Sequence, residues 1–484
     1  MESIWKEYVV GHHAELEKDI KTDVAVVGGG IAGILAAYRL AESGRKVTLL
    51  EAGVLYGGVT QNTSAHISAL QGYLYNDLKL DQAKPYFESQ IKAIDEYERL
   101  IKKYDIDCEF QRVDDYLYTV DNPDKIEKEY NALSVMGANP EYADNFHIAQ
   151  FRPACAFKVP NMALFHPIKF LDMLPKSFEF YERSRVLDID VKQNILYTNK
   201  AKVKADKIVI ATNFPIINIP GWYFLRMYKS QAYTIAIDNV KTNIQASYQS
   251  ELANGLTFRN YGKYLIIDGL SHRTGRINAN DKFQRLEDTA KKLFPQCKVT
   301  HKWTANDCVT YDSLPFVGYY SKTSKDIYVI TGFNKWGMAN AMVSSMIICD
   351  MINGKNNEYE ELFSPQRCSF KFKPAMSNIL CTVKNLVVKP LCPAVKGEDS
   401  LPLDSGGIVR FNGKKKAVYK DADGVIYACQ PLCAHLKCQL VFNANTKTWD
   451  CPCHGSRFDI YGNIIVAPAK KELCSEIVKN EPEE

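Results

Sequence analysis

The sequence predicts a three-part α/β protein. It has a mostly parallel sheet wrapped by helices, a second region threaded between its strands, and a small separate domain at the C-terminal end. Three observations carry this. A valine-rich strand runs into a glycine turn and a helix near the start. Two stretches, 76–150 and 215–302, break the strand–helix alternation. Four cysteines and two histidines crowd into residues 433–459.

Bulk properties agree. A chain of 484 residues suggests about three domains. Hydrophobic residues at 46% and charged residues at 24% fit a soluble globular protein that buries a full core without disulfide help. A net charge of +4 is too small to argue for nucleic acid or an anionic membrane surface. No apolar run of about 18 residues appears, so no membrane anchor is expected. The first residues, MESIWKEYVVGHH, lack a basic-then-apolar signal, and a cytoplasmic location is the default expectation. Of 14 cysteines, five fall between Cys429 and Cys453, the spacing of a local site rather than a secreted disulfide framework.

The first element is the strand TDVAVV, Thr22 to Val27, apolar throughout as a buried parallel strand is. GGGIAG follows, Gly28 to Gly33, then the helical ILAAYRLAESG and a second strand, KVTLL, ending at Glu51. Gly28 permits the tight turn, Gly30 lets the backbone approach a pyrophosphate, and Gly33 lets helix and strand pack closely. Unpaired amides at the helix start favour the phosphate charge. Glu51 lies 23 residues after Gly28, near the position of a ribose-binding carboxylate. These residues alone leave NAD and FAD open. The absence of a second GxGxxG argues against a separate nicotinamide domain and favours FAD.

Later elements carry a resemblance. LYGGVTQNTSAHISALQG follows Glu51. ERSRVLDIDVKQNILYTNKAKVKADKIVIATN reads as paired strands with a turn at 193–194. DIYVITGFNKWGMANAMVSSMIICDMINGK reads as a strand, a loop from Gly332 to Gly337, and a helix. Over residues 20–365 the chain resembles the D-amino-acid oxidase and glycine oxidase superfamily of FAD-dependent oxidoreductases, and above all a bacterial subgroup with a C-terminal Rieske domain. The resemblance implies a Rossmann-like FAD-binding domain from 20–75, 151–214 and 303–365. It also implies an interleaved α+β substrate domain from 76–150 and 215–302. For FAD it implies contacts from Ala52, Thr60, Ser64 and His66, the last where the subgroup often has lysine. It further implies Val186 against the adenine, Ala211 and Thr212 at a strand end, and Gly332, Trp336, Gly337 and Met338 at the flavin's pyrimidine edge. A helix N-terminus there would stabilise the charge of reduced flavin. Substrate contacts are expected from Arg226, Tyr228, His272 and Tyr311.

At the far end, Cys433 and His435 form C-x-H, and Cys451 and His454 form C-x-x-H fifteen residues on. Two thiolates and two imidazoles could hold zinc. The pattern C-x-H-x15-C-x-x-H closely resembles the Rieske 2Fe-2S domain, an all-β fold in which two cysteines bind one iron and two histidines the other. That resemblance implies one cluster within 391–474, after a linker at 366–390, and a disulfide between Cys438 and Cys453. It also implies donation by Ser456 to a cluster sulfide and a shielding loop at Pro468. Phe458 stands where high-potential relatives have tyrosine, so a lower potential is expected. Cys429 and Cys474 are read as packing residues, and the lysines 414–416 as the solvated turn of a hairpin.

A two-electron flavin beside a one-electron cluster suggests an enzyme. The resemblance implies that a small amine or amino-acid-like substrate would reduce the flavin, and the cluster would pass electrons singly to a redox partner protein or quinone. An electron-transfer or redox-sensing protein without organic substrate is the alternative. A Rieske oxygenase is not expected, because only 30 residues follow His454.

Overall fold

A computed structural model describes residues 2–478, apart from 144–147, 149–150, 218, 241–243, 251–254, 277–280, 368–384, 387–388 and 393–396. Most of the expected linker 366–390 therefore lies outside the described residues.

The first sheet has eight strands. Its path runs Phe316–Ser321, Ser324–Thr331, Lys202–Ile210, Ile20–Val27, Val47–Leu50 and Glu179–Tyr181. All neighbours on this path are parallel except the antiparallel edge strand Phe316–Ser321. A hairpin of Val186–Asp190 and Ile195–Thr198 pairs onto Lys202–Ile210. Val24 to Val27 and Val47 to Leu50 are buried, which is why these strands read as unbroken apolar runs. Helices Ile31–Glu42 and Gly337–Ile352 pack on one another beside this sheet, and the long helix Leu80–Tyr104 packs on the second of them.

The second sheet has nine strands. It runs Lys298–Thr310, Met227–Asp238, Tyr264–Arg273, Leu256–Tyr261, Ala246–Gln249, Gln111–Thr119, Cys155–Leu164 and His66–Ile67, with Glu141–Tyr142 paired to the side. Three of its pieces come from segments that the sequence assigned to the FAD-binding region: His66–Ile67, Cys155–Leu164 and the end of Lys298–Thr310. Alternating strands carry no signal of which sheet they join, since pairing is decided by distant partners.

The C-terminal part is all-β, with two four-stranded antiparallel sheets. One holds Ser405–Phe411, Lys414–Lys420, Ile426–Cys429 and Ser475–Val478; the other holds Val441–Asn443, Thr448–Asp450, Arg457–Phe458 and Ile464–Val466. The hairpin turn is Asn412–Gly413, both at positive φ, as a two-residue turn requires. Lys414 to Lys416 thus begin a strand instead of forming the turn. Lys415 donates to the carbonyls of Lys389 and Cys392, and Lys416 pairs with Glu476.

Candidate functional site

The glycine turn is as tight as its sequence requires. A side chain on Gly28, at φ +113, would meet the Ala211 carbonyl at 2.5 Å, and one on Gly33 would meet the Gly28 carbonyl at 1.9 Å. Ala211 closes the same turn by donating its N–H to Val27. Gly30 lies under Thr60, whose hydroxyl accepts from the Ile31 amide at 2.9 Å. Glu51 accepts from the amides of Gly29 and Gly53, both at 2.7 Å, yet burial still raises its pKa. Ala52 follows it. Ser184 donates to the Glu51 carbonyl, and Val186, two residues on, is buried in the core cluster that holds Val27 and Leu50.

The loop after Glu51 is held from behind. Trp303 donates to the carbonyl of Asn62, Trp5 to that of Thr63, and Arg259 to those of Ser64 and Ala65. Arg259 is a fully buried cation, and desolvation pulls its pKa down to about 9. With its carbonyls turned back, the loop lines a cavity of about 110 Å³ with Thr63, Ser64 and His66. Trp336 and Met338 line it as well. Gly332, at φ +75, would clash with Thr310 if it carried a side chain, and Asn334 and Lys335 also have positive φ. This contorted loop delivers helix Gly337–Ile352 with no side-chain cap at its start.

A second cavity of about 590 Å³ adjoins the first, sharing Ser271, Lys335 and Trp336. Tyr228, His272 and Tyr311 line it. Arg226 is not among its lining residues, for its guanidinium packs over the rings of Phe316 at 4.2 Å and Tyr223 at 5.7 Å. Both His272 nitrogens lack a hydrogen-bond partner among the described residues, and burial lowers the ring's pKa to about 4.

The cysteine–histidine site is built from two tight loops. Cys433 donates its amide to the Cys438 carbonyl, and Cys451 donates to the Ser456 carbonyl. Gly455, at φ +73, turns the second loop. Cys438 and Cys453 form a disulfide that ties the loops together. The sulfurs of Cys438, Cys451 and Cys453 lie within 4.8 Å of one another, but the disulfide consumes two of them. Cys433 and Cys451, hydrogen-bonded to each other and fully buried, remain as the thiol donors. The rings of His435 and His454 meet edge to face at 5.1 Å. Burial lowers their pKa to about 4 and about 3, so both are neutral, as ligands must be. Neither His454 nitrogen has a partner among the described residues. Two thiols and two neutral imidazoles in one buried place fit a Rieske cluster.

Around this site, the Ser456 oxygen accepts from the Ala469 amide at 3.0 Å, and its hydroxyl reaches Cys433. Phe458 is fully buried, and Pro468 follows a cis bond. Cys429 is buried, but Cys474 is exposed and packs no core.

The sequence reading missed the residues that seat this domain. Lys229 donates to the Ala467 carbonyl at 2.7 Å, Arg457 reaches Thr304, and Asn443 reaches Gln231. Arg457 is also paired with buried Asp450 at 3.0 Å. Gly275 lies so close to Pro452 that a side chain would clash at 2.5 Å. Against the His454 ring lie Phe224, at 5.6 Å, and Phe214, at 6.1 Å. Arg457 opens a two-residue strand with Phe458, and only its burial in the folded chain shows that it needs partners.

The fold and the two sites define a flavoprotein oxidoreductase of the amine and amino-acid oxidase type, fused to a Rieske domain. The chain belongs to the DAO family of FAD dependent oxidoreductases, whose model matches residues 23–351, and the Rieske [2Fe-2S] domain model matches residues 393–479. It is 31% identical over 481 residues to the Rieske 2Fe-2S iron-sulfur protein YhfW of Bacillus subtilis, covering 95% of this chain and 94% of that one. It is 21% identical to the gamma-glutamylputrescine oxidoreductase of Escherichia coli, over 71% of this chain and 87% of that one. Among solved structures, glycine oxidase from Geobacillus kaustophilus shares the fold, with a TM-score of 0.62 and 18% identity over 72% of this chain and all of that one.

Proposed function

We propose that the protein oxidises a small amine or amino-acid-like substrate and passes the electrons singly to a redox partner protein or quinone. When bound, FAD supplies two-electron oxidation and the 2Fe-2S cluster one-electron transfer. Ala52, Val186, Thr212, Gly332 and Gly337, with the glycine turn, Glu51 and the Thr60–His66 loop, would hold the flavin. Tyr228, His272 and Tyr311 would wall the substrate's approach, for they line the larger cavity. Arg226 would act there only at a distance, through packing.

One observation supports the coupling of the two halves. The cluster loops are packed onto the oxidoreductase part, with the ligand His454 against Phe214 and Phe224. Phe214 is two residues beyond Thr212, at the strand end expected beside the flavin. Nothing would be gained from this docking if the cluster served a site elsewhere.

Anaerobic mixing with a panel of amines, N-methyl compounds and amino acids tests the reading. The expected result is flavin bleaching followed by the paramagnetic signal of the reduced cluster. Reduction by redox proteins alone, with no compound active, would instead establish an electron carrier.

A further inference from the structure

We propose that Arg273 holds a carboxylate of the ligand in the larger cavity and couples its charge to the cluster loop, so that carboxylate binding and cluster reduction oppose each other. This deepens the amino-acid branch of the proposed function and rests on it for the ligand being a substrate.

The cavity of about 590 Å³ is lined by three cations, Arg273, Arg276 and Lys335. Among the described residues, no aspartate or glutamate lines it. Asp307 interacts with Lys335 and with buried Lys229, and so offsets part of this charge from outside the lining. His272 also lines the cavity but adds no charge, because burial lowers its pKa to about 4. A plain ammonium therefore meets like charge on entry. A carboxylate meets opposite charge, and a guanidinium offers it two parallel N–H donors. The same surroundings favour the uncharged form of an amine, whose free lone pair helps the neighbouring carbon to give up a hydride.

Arg273 belongs to the cavity and to the cluster loop at once. It ends strand Tyr264–Arg273, paired with Ser230, another lining residue. Its guanidinium lies over the Tyr228 ring at 5.1 Å, and Tyr228 stacks on Tyr311 at 5.9 Å. Two tyrosines of the cavity thus support the cation at its wall. The same guanidinium donates from Nη2 to the Cys453 carbonyl at 3.4 Å. Cys453 immediately precedes the donor His454 and is held by its disulfide to Cys438. The Arg276 amide donates to the Arg273 carbonyl at 3.0 Å, closing a turn. Gly275, inside that turn, lies so close to the loop that a side chain would meet Pro452 at 2.5 Å and Cys451 at 2.8 Å. One turn is therefore shared by the cavity and the cluster site.

The coupling is electrostatic, and no bond is made or broken. Reduction adds one negative charge to the cluster that these loops would hold. The Arg273 guanidinium stabilises that charge, and a carboxylate bound to it cancels the effect. Bound carboxylate thus lowers the midpoint potential, and by reciprocity an electron arriving at the cluster weakens the hold on the carboxylate. An oxidised amino acid keeps its carboxylate, so this coupling favours product release once an electron has moved on.

The test uses three compounds of one shape on the holoprotein: pivalate, pivalamide and tert-butylamine. They place a carboxylate, a neutral amide and an ammonium on the same tert-butyl group. None has a hydrogen on the carbon bearing that group, so none can be oxidised there. In calorimetric titration at fixed ionic strength, pivalate should bind roughly tenfold tighter than the other two, or more. Redox titration followed by the paramagnetic signal of the reduced cluster should show a lower midpoint with pivalate and no shift with pivalamide. A roughly tenfold loss of affinity on reduction corresponds to about 59 mV for one electron. Arg273→Gln should lower the midpoint of the ligand-free protein and abolish the pivalate shift. Arg273→Lys, which keeps the charge, should restore part of both. Pivalate binding no tighter than pivalamide would overturn the anion site. Pivalate that binds wild type without moving the midpoint would overturn the coupling, a result that needs no variant to fold. A pivalate shift that persists in cluster-loaded Arg273→Gln would remove Arg273 from it. The amine panel stands apart. If no compound reduces the flavin while pivalate shifts the potential, the substrate reading fails and the anion site stands. If plain amines and amino acids reduce the flavin equally well and pivalate does not bind, the reverse holds.

Discussion

The two redox sites of this chain are built in opposite ways. The flavin side is a backbone construction. Glycines without side chains, carbonyls turned away by Trp5, Trp303 and Arg259, and an uncapped helix start are gathered from residues 5 to 338. The cluster side is a side-chain construction, with four donors and a disulfide supplied by two loops between Cys433 and His454. The lesson concerns cost. A local site can be lost by one substitution without disturbing the fold, whereas a distributed site depends on many long-range joints.

The most severe break is expected at the cluster. Cys451→Ser replaces a thiolate donor by a poor iron ligand. Iron content and the signal of the reduced cluster should fall to background, while flavin absorbance stays at the wild-type level. Loss of both cofactors together would mean that the two sites are not separable. The matching break at the front is Gly33→Ala. Its new methyl would lie 1.9 Å from the Gly28 carbonyl, so strand and helix must part, at roughly 1–3 kcal/mol or more. The variant should purify without yellow colour but keep its iron, and full retention of FAD would refute the turn's assigned role.

The long-range joints should also show themselves in pH dependence. Glu129 reaches across more than fifty residues to accept from the amides of Tyr75, at 2.7 Å, and Asn76, at 2.9 Å. Burial nevertheless raises its pKa to about 7. A carboxyl raised in the folded state binds more protons there than in the unfolded chain between about pH 4.3 and 7. Its contribution to stability is therefore largest in acid and declines as pH rises through that window, by roughly 4 kcal/mol at most. Glu129→Gln should flatten the dependence of the melting temperature on pH over that range. An unchanged slope would place the titration elsewhere.

Legibility in the sequence follows the same division. Cys433, His435, Cys451 and His454 could be read because loop sites write their donors at short, fixed spacings. GGGIAG could be read because strand, turn and helix are consecutive. The roles of Trp5, Trp303 and Arg259 could not, since each holds the Asn62–Ala65 loop only once distant parts of the chain have folded beside it. Arg226 shows the converse. It was a reasonable substrate ligand by residue type, but its packing on Phe316 is a tertiary fact. The assignment of Cys155–Leu164 to one sheet rather than the other was equally beyond local pattern.

The smallest expected effect concerns Phe458. It is fully buried and pairs with Trp449 in the sheet that carries the cluster loops. It offers the site no hydroxyl, whereas Ser456 supplies one that reaches Cys433. A hydrogen bond to a cluster sulfur favours the reduced state, because reduction adds negative charge there. At about 1 kcal/mol per bond, Phe458→Tyr should raise the midpoint potential by roughly 40 mV for one electron, provided that the new hydroxyl finds the cluster. Ser456→Ala should lower it by a comparable amount. Spectroelectrochemical titration of the holoprotein measures both shifts. If neither substitution moves the potential, the cluster's environment is set by its docking against Phe214 and Phe224, and the local site is less local than its motif implies.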